Sequence, residues 1–186
     1  MSLILTAVLL AKLPLVVRTY DSAGVAPRAL EHAQDSARIT LASIGIEPIW
    51  RPCHANLCVG KPKPHRVEVD VRLVNAPATA APGPLGFAAV DVEQHAGTLA
   101  TIYVDRIAAM AAQSGVDSGE LIGYVVAHEI GHLVLGTSAH TAFGLMRATW
   151  TPAEIHRRVP IDWRFSAEQG AEMRLRLLTR DDAERN

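Results

Sequence analysis

The sequence has no excess of charge of either sign, because 18 Lys and Arg residues stand against 19 Asp and Glu residues. Non-specific electrostatic binding to nucleic acid or to an anionic membrane needs a basic surface, so this charge balance argues against both partners. Internal repeats are also lacking, and no low-complexity segment exceeds the stretch NAPATAAPGPLG. The composition is that of an ordinary globular protein, since 49% of the residues are apolar. A length of 186 residues suffices for one domain with a core.

No apolar run is long enough to span a bilayer as a helix. The N-terminal stretch MSLILTAVLLAKLPLVV fits the core of a secretory signal ending near Ala11, although it lacks a basic leader and a clean small-x-small cleavage site. In the alternative interpretation, Leu13 to Tyr20 is the first buried strand after a ragged start. We expect residues 1–12 to be a weak or truncated signal segment, residues 13–186 to form a single domain, and the protein to be secreted or periplasmic.

Cysteine is scarce. Cys53 and Cys58 are the only two, in CHANLC. Their even number and close spacing are typical of a small disulfide loop formed in an oxidising compartment. A structural zinc site would need further thiol or imidazole ligands, and His54 and His65 alone make a thin set. We therefore favour a disulfide, which also agrees with export.

The pattern along the chain predicts the order β-α-β-β-β-β-α-loop-α. This order indicates an α+β (α/β-like) fold, in which helices pack on a mixed, mostly parallel twisted sheet of four to five strands. The strands are expected at 13–21, 46–50, 65–74, 85–93 and 99–110, and the helices at 25–44, 116–136 and 166–180. Within 65–74, Val67, Val69, Val71 and Leu73 alternate with charged residues, as in a strand with one solvated face.

The central helix carries the chemistry, in the stretch VVAHEIGHLVLGTSAHTAFGLM from Val125 to Met146. From 121 to 135 the helix is apolar all round apart from four residues, so it is expected to be buried. Burying a carboxylate and two imidazoles without a partner costs several kcal/mol, which implies a bound cation. His128 and His132, four apart, can reach one ion, while Glu129 stands beside it, where a general base must be. This is the H-E-x-x-H arrangement of zinc hydrolases.

A catalytic zinc usually has three protein ligands and an open position for water. His140 is the natural third ligand, because the chain leaves the helix at Gly136 and can return it over the ion. The alternatives are an exposed loop histidine at 140, with His156 as the fallback ligand. The other histidines lie on other elements and are most simply surface or loop residues.

The stretch from Val125 to Met146 resembles the metzincin clan of zinc endopeptidases. That clan has H-E-x-x-H on a long helix, a glycine that turns the chain, a third histidine and a methionine in a tight turn beneath the metal. The matching residues are His128, Glu129, His132, Gly136, His140 and Met146, the last within GLM. The order of the preceding elements also resembles the upper subdomain of the clan, and the last helix resembles its C-terminal helix.

The spacing departs from the clan. Three residues, not two, separate His132 from Gly136 and Gly136 from His140, giving HExxHxxxGxxxH. This difference bears on the third ligand but not on His128, His132 or Glu129. The segment after Met146 is RATW, without the tyrosine that some members place there to assist the transition state, so that role is unassigned.

The resemblance implies a zinc-dependent metalloendopeptidase with one catalytic Zn²⁺ and a peptide or protein substrate. In the clan the substrate lies extended along an edge strand, and the best match is the segment Leu85 to Asp91, of which Leu85, Gly86, Phe87 and Ala88 are the candidate contacts. An ordinary interior strand is the competing interpretation of that segment. We expect a monomer, because nothing in the sequence indicates an obligate oligomer.

Two other functions stay open. A three-histidine RNA-processing hydrolase needs a basic surface, and its usual helix motif lacks the glutamate that directly follows His128 in this sequence. A non-catalytic zinc-stabilised binding protein would not need Glu129 beside an open ligand position. Conversion of Glu129 to Gln separates the classes, because a peptidase loses turnover and keeps its metal.

Overall fold

The computed structural model describes residues 12–54, 57–59, 67–77, 83–91, 93 and 96–183. The proposed signal segment lies outside the described residues except for Lys12. His65 and His95 also lie outside them. None of the helices in the described ranges combines the length and apolar character needed to cross a bilayer.

Strands and helices both contribute to the described chain. The strands are β1 (Leu13–Asp21), β2 (Ile46–His54), β3 (Leu57–Cys58), β4 (Glu68–Val74), β5 (Gly86–Asp91) and β6 (Ala96–Tyr103). The helices are α1 (Pro27–Ala42), α2 (Val104–Ser114), α3 (Ser118–Leu135), α4 (Pro152–Arg157) and α5 (Ala167–Ala183), with a 3-10 turn at Pro160–Trp163.

The sheet is mixed and mostly parallel, as the sequence predicts. Its order is β3-β2-β1-β4-β6-β5. β1 pairs in parallel with β2 and β4, and β4 pairs in parallel with β6. The two outer strands, β3 and β5, run antiparallel to their neighbours. The predicted alternation in β4 is confirmed, because Val69, Val71 and Leu73 are buried at 0–1% exposure.

The strand count is a correction, since the sheet has six described strands rather than four to five. The extra strand is β3, a two-residue segment that the Cys53–Cys58 disulfide holds against β2. This confirms the predicted disulfide. Two residues carry no periodic signal of their own, and they form a strand only because the chain is pinned back on itself.

The prediction of a strand over 99–110 is wrong in its second half. β6 ends at Tyr103 and α2 follows at once, buried through Ile107 and Ala111 and closed by Gly115 at φ 65°. The alanine-rich run after Val104 has high helix propensity, and its buried residues recur at helical spacing. The start of this strand is also earlier than predicted, because Ala96 and Gly97 already belong to β6.

The loop expected after the histidine segment contains a further short helix, α4. Thr151 and Glu154 form a reciprocal capping box at its N-terminus, and Pro152 occupies its first turn. Proline is favourable there because the missing N–H would have no partner in a first turn. Pro152 therefore starts a short helix within the segment predicted to be a loop.

The core places α3 between α1 and the β5–β6 end of the sheet. α1 and α3 approach closely, since a Cβ added at Gly123 would collide with the carbonyl oxygen of Ala33. α5 packs on α3 and on β1, and it is capped by the Ser166 hydroxyl, which accepts a hydrogen bond from the backbone N–H of Gln169. These contacts fix the helix that carries the polar residues.

Candidate metal centre

α3 begins and ends as its sequence predicts. The side chain of Asp117 accepts a hydrogen bond from the Glu120 N–H at 2.8 Å, and Gly136 closes the helix in the left-handed conformation at φ 61°. Almost every residue between them is buried. The three polar residues His128, Glu129 and His132 are 4–6% exposed, so α3 carries them into the interior.

Three histidines meet at one point. Nε2 of His132 lies 3.0 Å from Nε2 of His128 and 3.3 Å from Nε2 of His140. All three candidate ligand atoms lie within 4.8 Å of one another. Nitrogen ligands about 2.0–2.1 Å from one tetrahedral zinc would lie about 3.3 Å apart, so the separations of 3.0 and 3.3 Å suit a shared ion. The widest separation of 4.8 Å would have to shorten when all three rings bind one ion. The longer spacing to Gly136 and onward therefore still returns His140 to the cluster.

Two backbone carbonyls orient the rings on α3. Nδ1 of His128 donates to the carbonyl oxygen of Leu145 at 2.7 Å, and Nδ1 of His132 donates to that of Thr137 at 2.8 Å. A carbonyl oxygen only accepts, so each Nδ1 carries the proton and each Nε2 of a neutral ring presents a lone pair. Ligating histidines in proteins are commonly oriented in this way.

The residues present fit a bound cation. Two buried Nε2 lone pairs face each other across 3.0 Å, and no proton lies between two neutral rings of this tautomer. Such a pair repels unless a positive charge is shared. Burial lowers the pKa of His128 to about 4, opposed in part by its hydrogen bond to Leu145, and burial likewise lowers the pKa of His132. Both rings are therefore neutral and able to ligate at pH 7.

Glu129 lies beside the cluster without joining it. Its Oε2 atom is buried and has no hydrogen-bond partner within the described part of the chain. Burial raises the pKa of Glu129 to about 8. A buried carboxyl group without a partner is costly, and at a site that holds a cation it is a typical feature of a general base.

The chain around Met146 packs beneath the cluster. Gly144 has a positive φ of 77°, and Leu145 and Met146 are fully buried, at 0% and 1% exposure. The Met146 side chain lies against Gly131 on α3, where an added Cβ would meet its sulfur at 2.6 Å. The loop after His140 is thus tied to the helix at adjacent residues, by the Leu145 carbonyl and by the Met146 sulfur.

Trp150 is a neighbour of the cluster that the sequence did not single out. Its ring meets the His128 ring edge-on, with centroids 5.4 Å apart, and its Nε1 atom is buried without a hydrogen-bond partner in the described residues. It also contacts Trp163, which stacks on Tyr124 at 4.5 Å. The only signal in the sequence was its place in RATW, shortly after Met146.

A cavity of about 670 Å³ lies away from the cluster, between α1, the N-terminal half of α3 and the segment 155–164. None of the three clustered histidines lines it. The chemistry of the three histidines, rather than this cavity, identifies the candidate site.

The remaining histidines in the described residues lie apart from the cluster. His156, the fallback ligand, bonds through Nδ1 to the carbonyl oxygen of Ser114 at 2.9 Å, at the end of α2. His32 contacts the capping residue Asp117, and His54 ends β2. The structure therefore offers His140, and not His156, as the third partner of His128 and His132.

The segment considered for substrate contact starts the outermost strand on the β6 side. Among the described strands β5 pairs only with β6, and Leu85 precedes it. Gly86 is buried, whereas Phe87 is 45% exposed. The interior-strand interpretation of Leu85 to Asp91 does not match this sheet order.

Comparison with known proteins establishes the fold. No family model and no curated protein sequence matches the chain. Among solved structures, it is similar to archaemetzincin from Methanopyrus kandleri, with a TM-score of 0.57 and 16% identity over 90% of this chain and 96% of that one. It is also similar to a zinc-dependent peptidase from Methanocorpusculum labreanum, with a TM-score of 0.53 and 13% identity over 85% and 99%. The chain thus has the zincin-like fold of these proteins.

Proposed function

We propose that this protein is a zinc-dependent metalloendopeptidase. The observation that carries the proposal is the convergence of three histidine Nε2 atoms beside a buried glutamate that has an unpartnered oxygen. The names of the two similar structures, an archaemetzincin and a zinc-dependent peptidase, support the same chemistry. One ion would be held by His128, His132 and His140.

His128, His132 and His140 would hold a zinc ion, which would supply Lewis-acid chemistry toward a water molecule and the carbonyl group of the bond to be cleaved. Glu129 would accept a proton from the attacking water and pass it to the departing amine. The raised pKa of Glu129 falls when a cation is bound nearby, because a positive charge favours the carboxylate. The carbonyls of Leu145 and Thr137 keep both helix histidines in the ligating tautomer throughout.

The substrate is a peptide or protein in this proposal. The outer edge of β5 offers backbone groups to an extended segment by strand addition, which gives affinity without demanding one side chain. Gly144 to Met146 serves as the Met-turn, with the Met146 side chain beneath the histidines. The disulfide supports a secreted or periplasmic location, where such a bond persists.

The proposal is tested by zinc content and peptide hydrolysis measured together. We expect about one zinc per chain by elemental analysis and hydrolysis of an unfolded protein substrate that a chelator abolishes. A protein that binds zinc but cleaves no peptide, and whose Glu129→Gln variant behaves as the parent, would be a binding module instead. Cleavage of RNA by the zinc-loaded protein would point to the RNA-processing class.

A further inference from the structure

Gly86, the first residue of β5, lies directly against Glu129. A Cβ added to Gly86 would stand 2.9 Å from Oε1 and 3.1 Å from Cγ of Glu129. It would also stand 2.9 Å from the carbonyl oxygen of Thr101 on β6. Carbon atoms of side chains do not approach oxygen this closely without displacement, so the space beside Gly86 is already filled by the carboxylate.

The position of Glu129 depends on this packing. Its Oε2 atom has no hydrogen-bond partner in the described ranges, so no polar contact fixes that side of the carboxylate. A glutamate has three side-chain torsions, and a loosely held one would sample several positions. The backbone of β5 at Gly86 removes the positions on its side.

We propose that Gly86 is a positioning residue for Glu129, a role that rests on the proposed function. By presenting bare backbone, Gly86 lets the carboxylate lie against the edge strand and stops it from swinging toward that strand. A methyl group at this position meets one rigid neighbour, the Thr101 carbonyl, and one movable neighbour, the end of the Glu129 side chain. The carboxylate therefore yields first, and it moves away from where a general base must stand.

Gly97 on β6 supplies a matched control. A Cβ added there would stand 2.8 Å from the carbonyl oxygen of Ala89 on β5 and 2.7 Å from Cδ2 of Leu133 on α3. An alanine at 97 thus strains the same strand pair and the same helix as an alanine at 86. No atom of Glu129 is among the three nearest to this Cβ, which belong to Leu133 and Ala89, so the variant reports the structural cost of crowding in the strand pair.

The first measurement is steady-state hydrolysis with zinc content determined on the same samples. Gly86→Ala is expected to lower kcat about 10- to 100-fold with little change in KM, because a displacement of about 1 Å at a reacting group has such effects. Zinc content stays as in the parent, and Gly97→Ala keeps kcat within about threefold. In a Glu129→Gln background, adding Gly86→Ala changes the residual rate no further, since both act through one group.

The second measurement needs no activity and follows the urea midpoint of unfolding. Gly86→Ala is expected to lower the midpoint more in the parent than in Glu129→Ala, where the crowding carboxylate is gone. Gly97→Ala should lower it equally in both backgrounds. If Gly86→Ala does not fold alone, folding of the Gly86→Ala/Glu129→Ala double variant supports the contact.

Either of two results overturns the inference: parental kcat in Gly86→Ala, or an equal loss of midpoint in both backgrounds. Failure of the proposed function has a different signature. In that case the parent itself cleaves no peptide, while the unfolding measurements still report whether Gly86 confines Glu129.

Discussion

The carbonyl oxygen of Leu145 accepts a hydrogen bond of 2.7 Å from Nδ1 of His128, a residue 17 positions earlier in the chain. This contact joins the loop beneath the cluster to the first histidine of the helix. It holds the His128 ring in one tautomer and one orientation, with Nε2 toward the other two histidines. The loop that supplies His140 and the helix that supplies His128 are therefore placed relative to each other by a hydrogen bond within the protein.

Replacing Glu129 with Gln is expected to abolish turnover and leave the metal in place. The amide has nearly the same shape but cannot accept the proton of the attacking water. We expect kcat to fall by about 10²- to 10⁴-fold, the usual contribution of a general base. Peptide hydrolysis and zinc content are measured on the same preparation, and a variant that retains parental kcat contradicts the role of Glu129.

Replacing His140 with Ala is expected to weaken zinc binding by more than about 100-fold, because loss of a ligand exceeds the loss of an orienting partner. The measurement is a competition titration with a zinc-binding dye. His156→Ala is the matched control, since His156 is hydrogen-bonded to Ser114 away from the cluster. A larger loss of zinc in the His156 variant than in the His140 variant would reverse the assignment.

The metal-free protein is expected to lose stability as pH rises. Burial raises the pKa of Glu129 from 4.5 to about 8, so the folded state binds the additional proton. The resulting stabilisation is present below about pH 4.5 and is lost as pH rises through about 8. Glu129→Gln removes this dependence, and we expect the stability difference between the two proteins to change by a few kcal/mol over that range, since one pKa unit corresponds to about 1.4 kcal/mol.

The histidine contributes with the opposite sign. The pKa of His128 is lowered by burial from 6.5 to about 4, so stability from its neutral form is present above pH 6.5 and lost as pH falls toward 4. The measurement is the free energy of unfolding by urea, in the presence of a chelator, at several pH values. It is made on the parent and on Glu129→Gln, because the contribution of His128 is common to both and only the carboxyl group differs. Parallel curves for the two proteins would rule out a buried, protonated Glu129.

Replacing Gly131 with Ala is expected to destabilise the protein by about 1–3 kcal/mol through overpacking. The added methyl group would stand 2.6 Å from the Met146 sulfur and 2.8 Å from Cε1 of Phe165. Met146 must then move, and the loop that carries the Leu145 carbonyl moves with it, so zinc affinity should fall as well. Chemical denaturation and the dye competition measure the two effects.

A second substitution, Met146→Ala, tests whether the Met146 side chain causes the loss of stability in Gly131→Ala. Because Met146→Ala frees the space that the sulfur fills, Gly131→Ala should cost less stability in that background than in the parent. An equal cost in both backgrounds would mean that Phe165 alone opposes the methyl group.

The sequence pattern predicted a strand or helix correctly where the residues of that element alone indicate its type and its ends. The alternation of β4, the cap at Asp117 and the left-handed closure at Gly136 all follow from residues adjacent in sequence. The prediction failed where an element is too short to show a period, or where two elements follow each other without a turn residue. β3 is too short to have a period, and the start of α2 follows β6 without a turn residue between them.

The sequence by itself predicted which polar residues α3 presents together. His128 and His132 lie about one turn apart on an α-helix, whose geometry is the same in every protein, so their common face and the place of Glu129 beside it could be derived without a structure. The cysteine spacing likewise determined a small loop, because two thiols so close in sequence can close only that.

Tertiary structure alone decided what surrounds these residues. That His140 completes the cluster, that Leu145 and Thr137 orient the rings, and that Gly86 lies against Glu129 depend on where a loop and a strand come to rest. No local rule fixes those positions, because they result from packing between segments far apart in the chain. The residue types could be recognised from the sequence, whereas the distances that make them a site arise only when the core closes around α3.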